Sequence, residues 1–121
     1  MSMLDSLHVE ATQMFIDQNP VTVTVMRSER VSDGAGGYVQ APFKAIATVK
    51  TRRVARGFVG DVQARTTTEG AIVIPGWTFV FLPDEPIQPG DQWTMNDHLH
   101  EVVFISVSPP WRLNAEVYEH G

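Results

Sequence analysis

The sequence contains no cysteine, which excludes disulfide bonds and thiolate metal ligands. Long apolar runs are also missing, because the longest stretches, residues 71–75 and 102–105, are far shorter than the roughly 20 residues that a membrane-spanning helix needs. The N-terminus lacks a basic segment followed by an apolar run. We therefore expect neither a signal peptide nor a transmembrane segment, and the composition is compatible with folding in a reducing cytoplasm.

Recognisable catalytic constellations are absent as well. There is no G-x-S-x-G motif, and the adjacent acids Asp84 and Glu85 lie between two prolines, where solvated loop carboxylates are more common than an acid/base pair. The glycine-rich stretch 34–37 joins two predicted strands and does not open a helix, so it lacks the helix N-terminus that makes a phosphate-binding loop. The sequence predicts no enzymatic activity, no catalytic residues and no cofactor.

Two histidines are a candidate metal site. His98 and His100 alternate along a predicted strand, so their imidazoles would face the same side. A cupin-like metalloenzyme would also need a glutamate a few residues further on and another histidine in a later strand. Glu101 points to the opposite face, and His120 lies at the C-terminal end. The pattern favours ordinary polar residues beside a turn, and we predict no metal.

Positive charge is scarce outside one third of the chain. Eight of the nine basic residues lie between positions 26 and 65, where the formal charge is +5, while the remainder carries −10. The sequence pI near 5.2 argues against a general nucleic-acid binder, which needs a basic face. A local cationic segment can still attract phosphate within a Debye length of about 8 Å. Contact with DNA is therefore expected only from this segment.

Hydrophobic periodicity predicts one helix followed by strands. Apolar residues recur at helical spacing in residues 3–18, with a stop at Asn19-Pro20: Leu4, Leu7, Ala11, Met14 and Phe15. This apolar face must be buried, either on the barrel or against a neighbouring ring. From Val21 the period changes to two, and the turn signal at residues 33–37 predicts a hairpin whose second strand runs over 38–50 as one long strand, with a bulge, bend or edge at Pro42.

The rest of the chain is read as short strands separated by turns. We predict a strand broken at residues 75–76, a loop over 83–91, two strands joined by a turn at Asp97-His98, and a last strand at 112–119. The fold class is mainly β, a small barrel of six to eight short strands with an N-terminal amphipathic helix and a long internal loop. We expect a single domain over 1–121, with the helix in 1–19 and the barrel in 20–121.

The segment 51–70 is predicted to be a long basic loop. It contains four arginines set among small and flexible residues: Arg52, Arg53, Arg56 and Arg65. Two interpretations stay open. In the first, the arginines are solvated or pair with acids of the same chain. In the second, copies assemble in a ring with the loop facing the axis, where their charges add in one narrow lumen.

An OB-like nucleic-acid-binding module is an alternative from another functional class. Such modules stack bases on aromatic residues interleaved with basic ones. Here Trp77, Phe79 and Phe81 lie outside the basic window and share one face of a predicted strand, a spacing that is more typical of a core. Base stacking is therefore only weakly supported by the sequence.

The order of these elements resembles the small β-barrel head-tail connector proteins of long-tailed bacteriophages, the head-closure or stopper proteins. The resemblance covers about residue 20 to the end and rests on order and spacing: the strand 21–25 followed by Arg27, the hairpin 33–38, the strand 47–50 leading into a polar segment, the motif Pro86-x-x-Pro89-Gly90-Asp91, the strand pair ending at Val107, and the closing strand 113–118.

The resemblance implies a structural, non-enzymatic component of the virion neck, assembled in the host cytoplasm. Subunits of that family form a ring between the portal-side adaptor and the tail-terminator or tail proteins, and loops in the lumen close the channel over packaged double-stranded DNA. Transferred by position, the gating element is the stretch 51–70 with Arg52, Arg53, Arg56 and Arg65. A tail terminator or another neck protein is the alternative within the same particle. No membrane partner is expected.

Overall fold

The computed structural model describes residues 3–32, 34–55, 63–107 and 111–120. Within these ranges the chain forms one helix and ten strands, which confirms the mainly β prediction with a single N-terminal helix. In chain order they are α1 (Met3–Asp17), β1 (Val21–Arg27), β2 (Arg30–Ser32), β3 (Tyr38–Gln40), β4 (Lys44–Ala55), β5 (Arg65–Thr66), β6 (Ile72–Val73), β7 (Trp77–Phe81), β8 (Gln92–Met95), β9 (His98–Ser106) and β10 (Leu113–Glu119).

Six of these strands close into an antiparallel barrel in the order β1-β4-β7-β10-β9-β8, with β8 returning to β1. The remaining four form two small ribbons, β2–β3 and β5–β6. The closing seam between β1 and β8 is short, since its register contains the single pair Met26 and Gln92. The predicted β-barrel is thus confirmed. The helix of the described ranges, α1, is not long and apolar enough to cross a lipid bilayer.

The barrel interior holds the main core. In β1, Val23 and Val25 are buried and the intervening Thr24 is exposed, as the period of two in the sequence predicts. Phe79 and Phe81 of β7 are fully buried, and Trp77 packs against the same cluster. Their prediction as a core face is therefore confirmed.

Two predicted turns are present in the structure. β2 and β3 pair as a ribbon, and Gly34 and Gly36 in the turn between them have φ of 80° and 86°, a conformation that glycine adopts without steric cost. The turn between β8 and β9 is centred on Asn96 and Asp97, with φ of 55° and 65°, one residue earlier than predicted. Two successive positive φ angles are typical of the two-residue hairpin turn that matches strand twist.

The predicted long loop begins later in the chain than residue 51, because Arg52 and Arg53 lie in β4. Thr51–Ala55 continue β4, which pairs with β7 as far as Ala55. Thr51 and Val54 are buried, and the Thr51 hydroxyl donates a 2.7 Å hydrogen bond to the Val80 carbonyl oxygen, so packing and pairing extend the strand beyond the polar boundary. Residues 63–70 include β5 and a turn that leads to β6. Residues 56–62 lie outside the described ranges.

The helix lies on the outside of β4 and β7. The side of the helix that contacts these strands is not its most apolar side. Ile16 is buried with Val54 and Val80 in a second small cluster, and Thr12 is buried beside it. Of the predicted apolar face, only Phe15 is partly buried, while the other four residues are exposed: Leu4, Leu7, Ala11 and Met14. Apart from Phe15, that face does not pack on the barrel.

Candidate functional site

Arg52 fastens the C-terminal end of α1 to the barrel. Its guanidinium donates hydrogen bonds to the Phe15 carbonyl oxygen at 3.0 Å and to the Gln18 side-chain oxygen at 3.1 Å. It also lies 4.1 Å from the centroid of the Phe15 ring. The last carbonyls of a helix have no partner within it and carry partial negative charge, which a cation stabilises. Arg52 therefore acts as a C-terminal cap and a tether for the helix.

Arg53 and Arg65 are each engaged with aromatic rings elsewhere on the barrel. The Arg53 guanidinium lies 4.0 Å from the ring centroid of Trp77. Arg65 lies 3.7 Å from the Phe104 ring centroid and forms a bidentate pair with Glu116, at 2.9 and 3.1 Å. The hydrogen bond to Glu116 raises the pKa of Arg65 above its ordinary value. Both cations contribute to holding the barrel surface together.

The structure does not bring the predicted arginines into one cluster. Arg52 faces the helix, Arg53 the Trp77 end of the barrel, and Arg65 the surface of β9 and β10. Arg56 lies outside the described residues. Of the three that are described, Arg65 pairs with an acid of the same chain, whereas Arg52 binds a carbonyl and an amide oxygen and Arg53 contacts an aromatic ring. Their contact with DNA remains a prediction.

An ion pair that the sequence did not predict lies beside the barrel seam, between residues that are 64 positions apart. The Arg27 guanidinium donates to both carboxylate oxygens of Asp91, at 2.8 and 2.9 Å, and to the Pro86 carbonyl oxygen at 2.7 Å. The Asp91 side chain is 1% exposed and also accepts a 2.8 Å hydrogen bond from the Gln88 backbone. Hydrogen bonding to Asp91 raises the pKa of Arg27. Arg27 and the motif Pro86-x-x-Pro89-Gly90-Asp91, which carried the family resemblance, are thus parts of one contact.

Gly90 shows why this loop needs glycine. Its φ is 93°, and a Cβ at this position would lie 2.9 Å from the Cγ2 atom of Thr68. The Gly90 amide donates to the Val102 carbonyl oxygen, and the Val102 amide donates to the Asp91 carbonyl oxygen. The loop that supplies Asp91 is therefore fixed to β9 and to the turn before β6.

An open groove of about 900 Å³ lies between the β2–β3 ribbon and this loop. Its lining includes Glu29 and Glu69, together with the Arg27 and Asp91 pair, and partly exposed Val39 and Phe43. Because the arginine is already neutralised by Asp91, the two remaining carboxylates leave the groove acidic. It is therefore unsuited to a phosphate backbone.

The histidine pair does not form a metal site in the described part of the chain, where no group of three or more possible ligands is placed to hold an ion. His100 is fully buried, and its Nδ1 atom lies 2.9 Å from the His98 carbonyl oxygen. Its Nε2 atom lies 3.7 Å from a Glu119 carboxylate oxygen. His120 pairs separately with Glu101 at 3.1 Å. These residues connect β9 to the end of β10.

Burial lowers the pKa of His100, although the carbonyl of His98 and the charge of Glu119 oppose this shift. A lowered pKa means that the unfolded chain binds a proton more readily than the folded chain. Stability should therefore decrease as the pH falls below about 6.5, the ordinary histidine value, and this contribution should be absent above it.

We expect the thermal midpoint to fall less between pH 7.5 and 5.5 in His100→Gln than in the unmodified protein. The comparison needs only the slope against pH, so an overall loss of stability in the variant does not affect it. His98→Gln, at an exposed position, is the control and should change the slope little, because the charge of His98 is the smallest of the causes that shift the pKa of His100. Equal slopes for all three proteins would contradict the assignment.

Aromatic side chains of the described residues do not form a stacking platform. Phe79, Phe81 and Trp93 are at most 1% exposed, and the Trp93 ring meets each of the two phenylalanine rings edge to face. The Trp77 ring is covered by Arg53, and the Phe104 ring by Arg65. The OB-like alternative requires open aromatic faces. It therefore has no support from these residues.

Comparison with known proteins gives a similarity of fold. One chain of the solved virion of a native gene transfer agent particle is similar to this chain, with a TM-score of 0.52 and 17% sequence identity. The similarity covers 83% of this chain and 94% of that chain. No protein-family model matches the sequence, and no curated protein matches it significantly. This barrel is thus a fold that a virion component also uses.

Proposed function

We propose that this protein is a structural neck component of a tailed bacteriophage, a head-to-tail stopper ring that joins the portal-side adaptor to the tail. The observation that carries the proposal is the similarity to a virion chain along 94% of that chain's length. The matched unit is nearly the whole of that protein, so the common part is a complete barrel rather than a shared motif. The order of strands and turns that resembles stopper proteins supports the same assignment.

The surface of the barrel supports an assembly role. Seven large apolar side chains among the described residues are more than half exposed, which is unusual for a protein that acts alone: Met3, Leu4, Leu7, Met14, Val39, Ile72 and Ile74. Buried ionisable groups, by contrast, are used in contacts within the fold, as Asp91 and His100 are. These features favour a subunit of a larger particle.

Closure of the DNA channel is assigned to the connection between β4 and β5. Its roots are held by Arg52 and Arg53 on one side and by Arg65 on the other, through the contacts described above. We propose that Arg56, within the connection, meets the phosphate backbone first. Arg52 and Arg53 would add their charge to the channel, whereas Arg65, neutralised by Glu116, would keep its end of the connection in place.

The test is to shorten this connection without touching either strand. Removing residues 58–62 leaves β4 and β5 intact, whereas removing 51–70 would cut both. We expect particles that still join heads to tails but lose nuclease-protected DNA from the head. A deletion of the same kind within residues 34–37, the turn of the β2–β3 ribbon, is the matched control and should retain DNA. Full heads in the first variant would refute the gating role.

Membership of the neck is tested separately by removing the whole protein. A stopper predicts filled or leaking heads without attached tails, whereas a tail terminator predicts defects confined to the tail. Wild-type heads, tails and joining in its absence would exclude both roles. The gating test and the neck test can therefore fail independently.

A further inference from the structure

The groove between the β2–β3 ribbon and the loop that supplies Asp91 has two fixed walls. We call it the acidic groove. The loop wall is held by the pair of Arg27 and Asp91, described above. The ribbon wall is held at its base, where the Ala41 amide donates to the Glu29 carbonyl oxygen at 2.9 Å and the Ser28 hydroxyl donates to the Ala41 carbonyl oxygen. The groove is therefore preformed, and a ligand that enters it does not have to order its walls.

The charge of the acidic groove comes from both walls. Its charged lining among the described residues is one arginine and three carboxylates, and the arginine is paired with Asp91. Glu29 belongs to the ribbon wall. Glu69 follows Thr68, which packs against Gly90 of the loop wall. Both glutamates are exposed and lie outside the ion pairs of the described chain. A ligand with positive charges on two sides would neutralise both carboxylates.

Apolar side chains lie beside these carboxylates. Val39 and Phe43 line the groove and are 51% and 37% exposed. Val39 shares a face of the ribbon with Glu29, because Val39 pairs with Val31 and Glu29 precedes Val31 by two positions. An aliphatic group of a ligand can therefore contact the ribbon wall next to the position of a cation.

The size and the uncharged lining of the groove suit a peptide. A volume of about 900 Å³ is near the upper end of the range for drug-sized ligands, so several residues of extended chain can enter. Amide and hydroxyl side chains of the lining are exposed and can donate to and accept from a peptide backbone: Gln40, Thr68 and Gln88.

Other classes of ligand fit the acidic groove less well. Its charge repels a phosphate backbone. No group of three or more possible ligands is placed to hold a metal ion in the described part of the chain. Three of the chain's own arginines are engaged in contacts within the fold, so they are not free to fill the groove of a second copy: Arg52, Arg53 and Arg65.

We propose that the acidic groove binds an extended segment of another protein, in which basic side chains flank an aliphatic one. The basic side chains lie against Glu29 and Glu69, and the aliphatic side chain lies against Val39 and Phe43. Complementary charge attracts such a segment and sets its position, and the apolar contact removes exposed surface from water. The inference goes beyond the proposed neck role and does not depend on it.

A random peptide library displayed on filamentous phage tests the chemistry of the ligand. It is selected against the immobilised full-length protein. We expect the enriched peptides to combine lysine or arginine with an aliphatic residue. The same selection against the double variant Glu29→Lys with Glu69→Lys should not enrich this class. The absence of enrichment, the enrichment of peptides without basic residues, or the same basic peptides on both proteins would each overturn the inference.

The most enriched peptide, synthesised with a fluorescent label, tests the contribution of each carboxylate by anisotropy. Glu29→Lys and Glu69→Lys should each weaken binding by about tenfold or more, because each places a like charge beside the peptide. Added salt should weaken binding to the native protein. Glu10→Lys reverses an exposed acid of α1 outside the groove and should bind as the native protein does. Equal weakening by this control would show that net charge, and not the groove, attracts the peptide.

Spermidine distinguishes a peptide from a small polycation. It carries positive charge on an aliphatic chain but has no peptide backbone. We expect it to compete with the peptide only weakly, because it leaves the amide groups of the lining without partners. Binding of spermidine alone that is tighter than that of the peptide, and that is lost in the double variant, would replace the proposed ligand by a polyamine.

Photo-cross-linking tests the groove in assembled particles. Val39→p-benzoylphenylalanine places a photoreactive side chain in the groove. We expect illumination to link it to a segment of another protein that contains basic residues, identified by mass spectrometry. The link should disappear when Glu29→Lys and Glu69→Lys are added. A link to a second copy of this chain, a link to a segment without basic residues, or no link at all would contradict the proposal.

Failure of this inference and failure of the proposed function give different results. Tail-less or leaking heads without any peptide binding would refute the groove and leave the neck role intact. Charge-dependent peptide binding by a protein whose removal leaves heads and tails joined would refute the neck role and leave the groove intact.

Discussion

Replacing Asp91 with alanine is expected to lower the free energy of unfolding by about 3 kcal/mol, because it leaves the mostly buried Arg27 cation without its counter-charge. The Gln88 amide would lose its acceptor at the same time. For a domain of this size the loss corresponds to a fall in thermal midpoint of roughly 10 to 15 °C. Urea unfolding followed by tryptophan fluorescence measures it.

The matched control is Asp17→Asn. Asp17 also forms an ion pair with a basic side chain, Lys50, at 2.6 Å, but both partners are about half exposed. Exposed pairs contribute little because water screens them. We expect this variant to unfold at nearly the native midpoint. In a double-mutant cycle, adding Arg27→Met to Asp91→Ala should restore part of the lost free energy of unfolding, because removing both partners leaves no buried charge. Equal midpoints for Asp91→Ala and Asp17→Asn would contradict the argument.

Phe79→Ala is the second large effect that we expect, with a loss of about 4 kcal/mol. The Phe79 ring is 0% exposed and meets the Trp93 ring edge to face, with centroids 5.0 Å apart. Closed barrels collapse poorly around a missing ring, because their strands are tied on both sides. The cavity should therefore persist. Chemical denaturation measures the loss, and near-ultraviolet circular dichroism reports the changed surroundings of Trp93.

Phe43→Ala is the control for this substitution. It removes the same ring from a side chain that is 37% exposed and lies outside the barrel core. We expect it to cost about 1 kcal/mol or less, because little of its apolar surface leaves water on folding. Phe79→Leu should fall between the two variants, since it leaves a smaller cavity. Similar losses for Phe79→Ala and Phe43→Ala would show that the barrel interior is not the main source of stability.

The elements that the sequence predicted well are those set by local pattern. The alternation of Val21–Arg27 and the glycines of the β2–β3 turn each impose a backbone preference that no distant residue needed to supply. The long bent strand predicted through Pro42 is wrong, because β3 ends at Gln40 and β4 begins at Lys44 in a different sheet. The core face of β7 was also readable, because large aromatic residues at alternate positions are costly to expose. Closure of the strands into a barrel was predicted from the number of short strands and from the resemblance to the connector family.

Charge was a poor guide to the limits of the predicted loop. Arg52 and Arg53 looked like loop residues, yet a strand can carry arginines whose stems and guanidinium groups cover aromatic rings. Their partners, Phe15 and Trp77, are distant in sequence, so no local pattern could identify them. The same holds for Arg27 and Asp91, which are separated by 64 positions.

The helix shows a different limit. Its periodicity correctly predicted a helix and identified a face that needs burial, but which face meets the barrel was decided by Thr12, Phe15 and Ile16 together with the polar tethers at both ends. A hydrophobic pattern reports that a surface should be covered and does not report by what. The exposure of Leu4, Leu7, Ala11 and Met14 favours docking outside the chain, the alternative that the sequence had left open.

The short seam between β1 and β8 has a consequence for how the chain folds. The antiparallel pairs β8–β9 and β9–β10 join elements that are close in sequence, whereas the pair Met26 and Gln92 brings together distant parts of the chain. Closing a loop of this length costs conformational entropy before the contacts that offset the cost have formed. We therefore expect the hairpins to form early and the β1–β8 seam to close last. Backbone amides along this seam should then exchange with deuterium sooner than those of the other barrel strands.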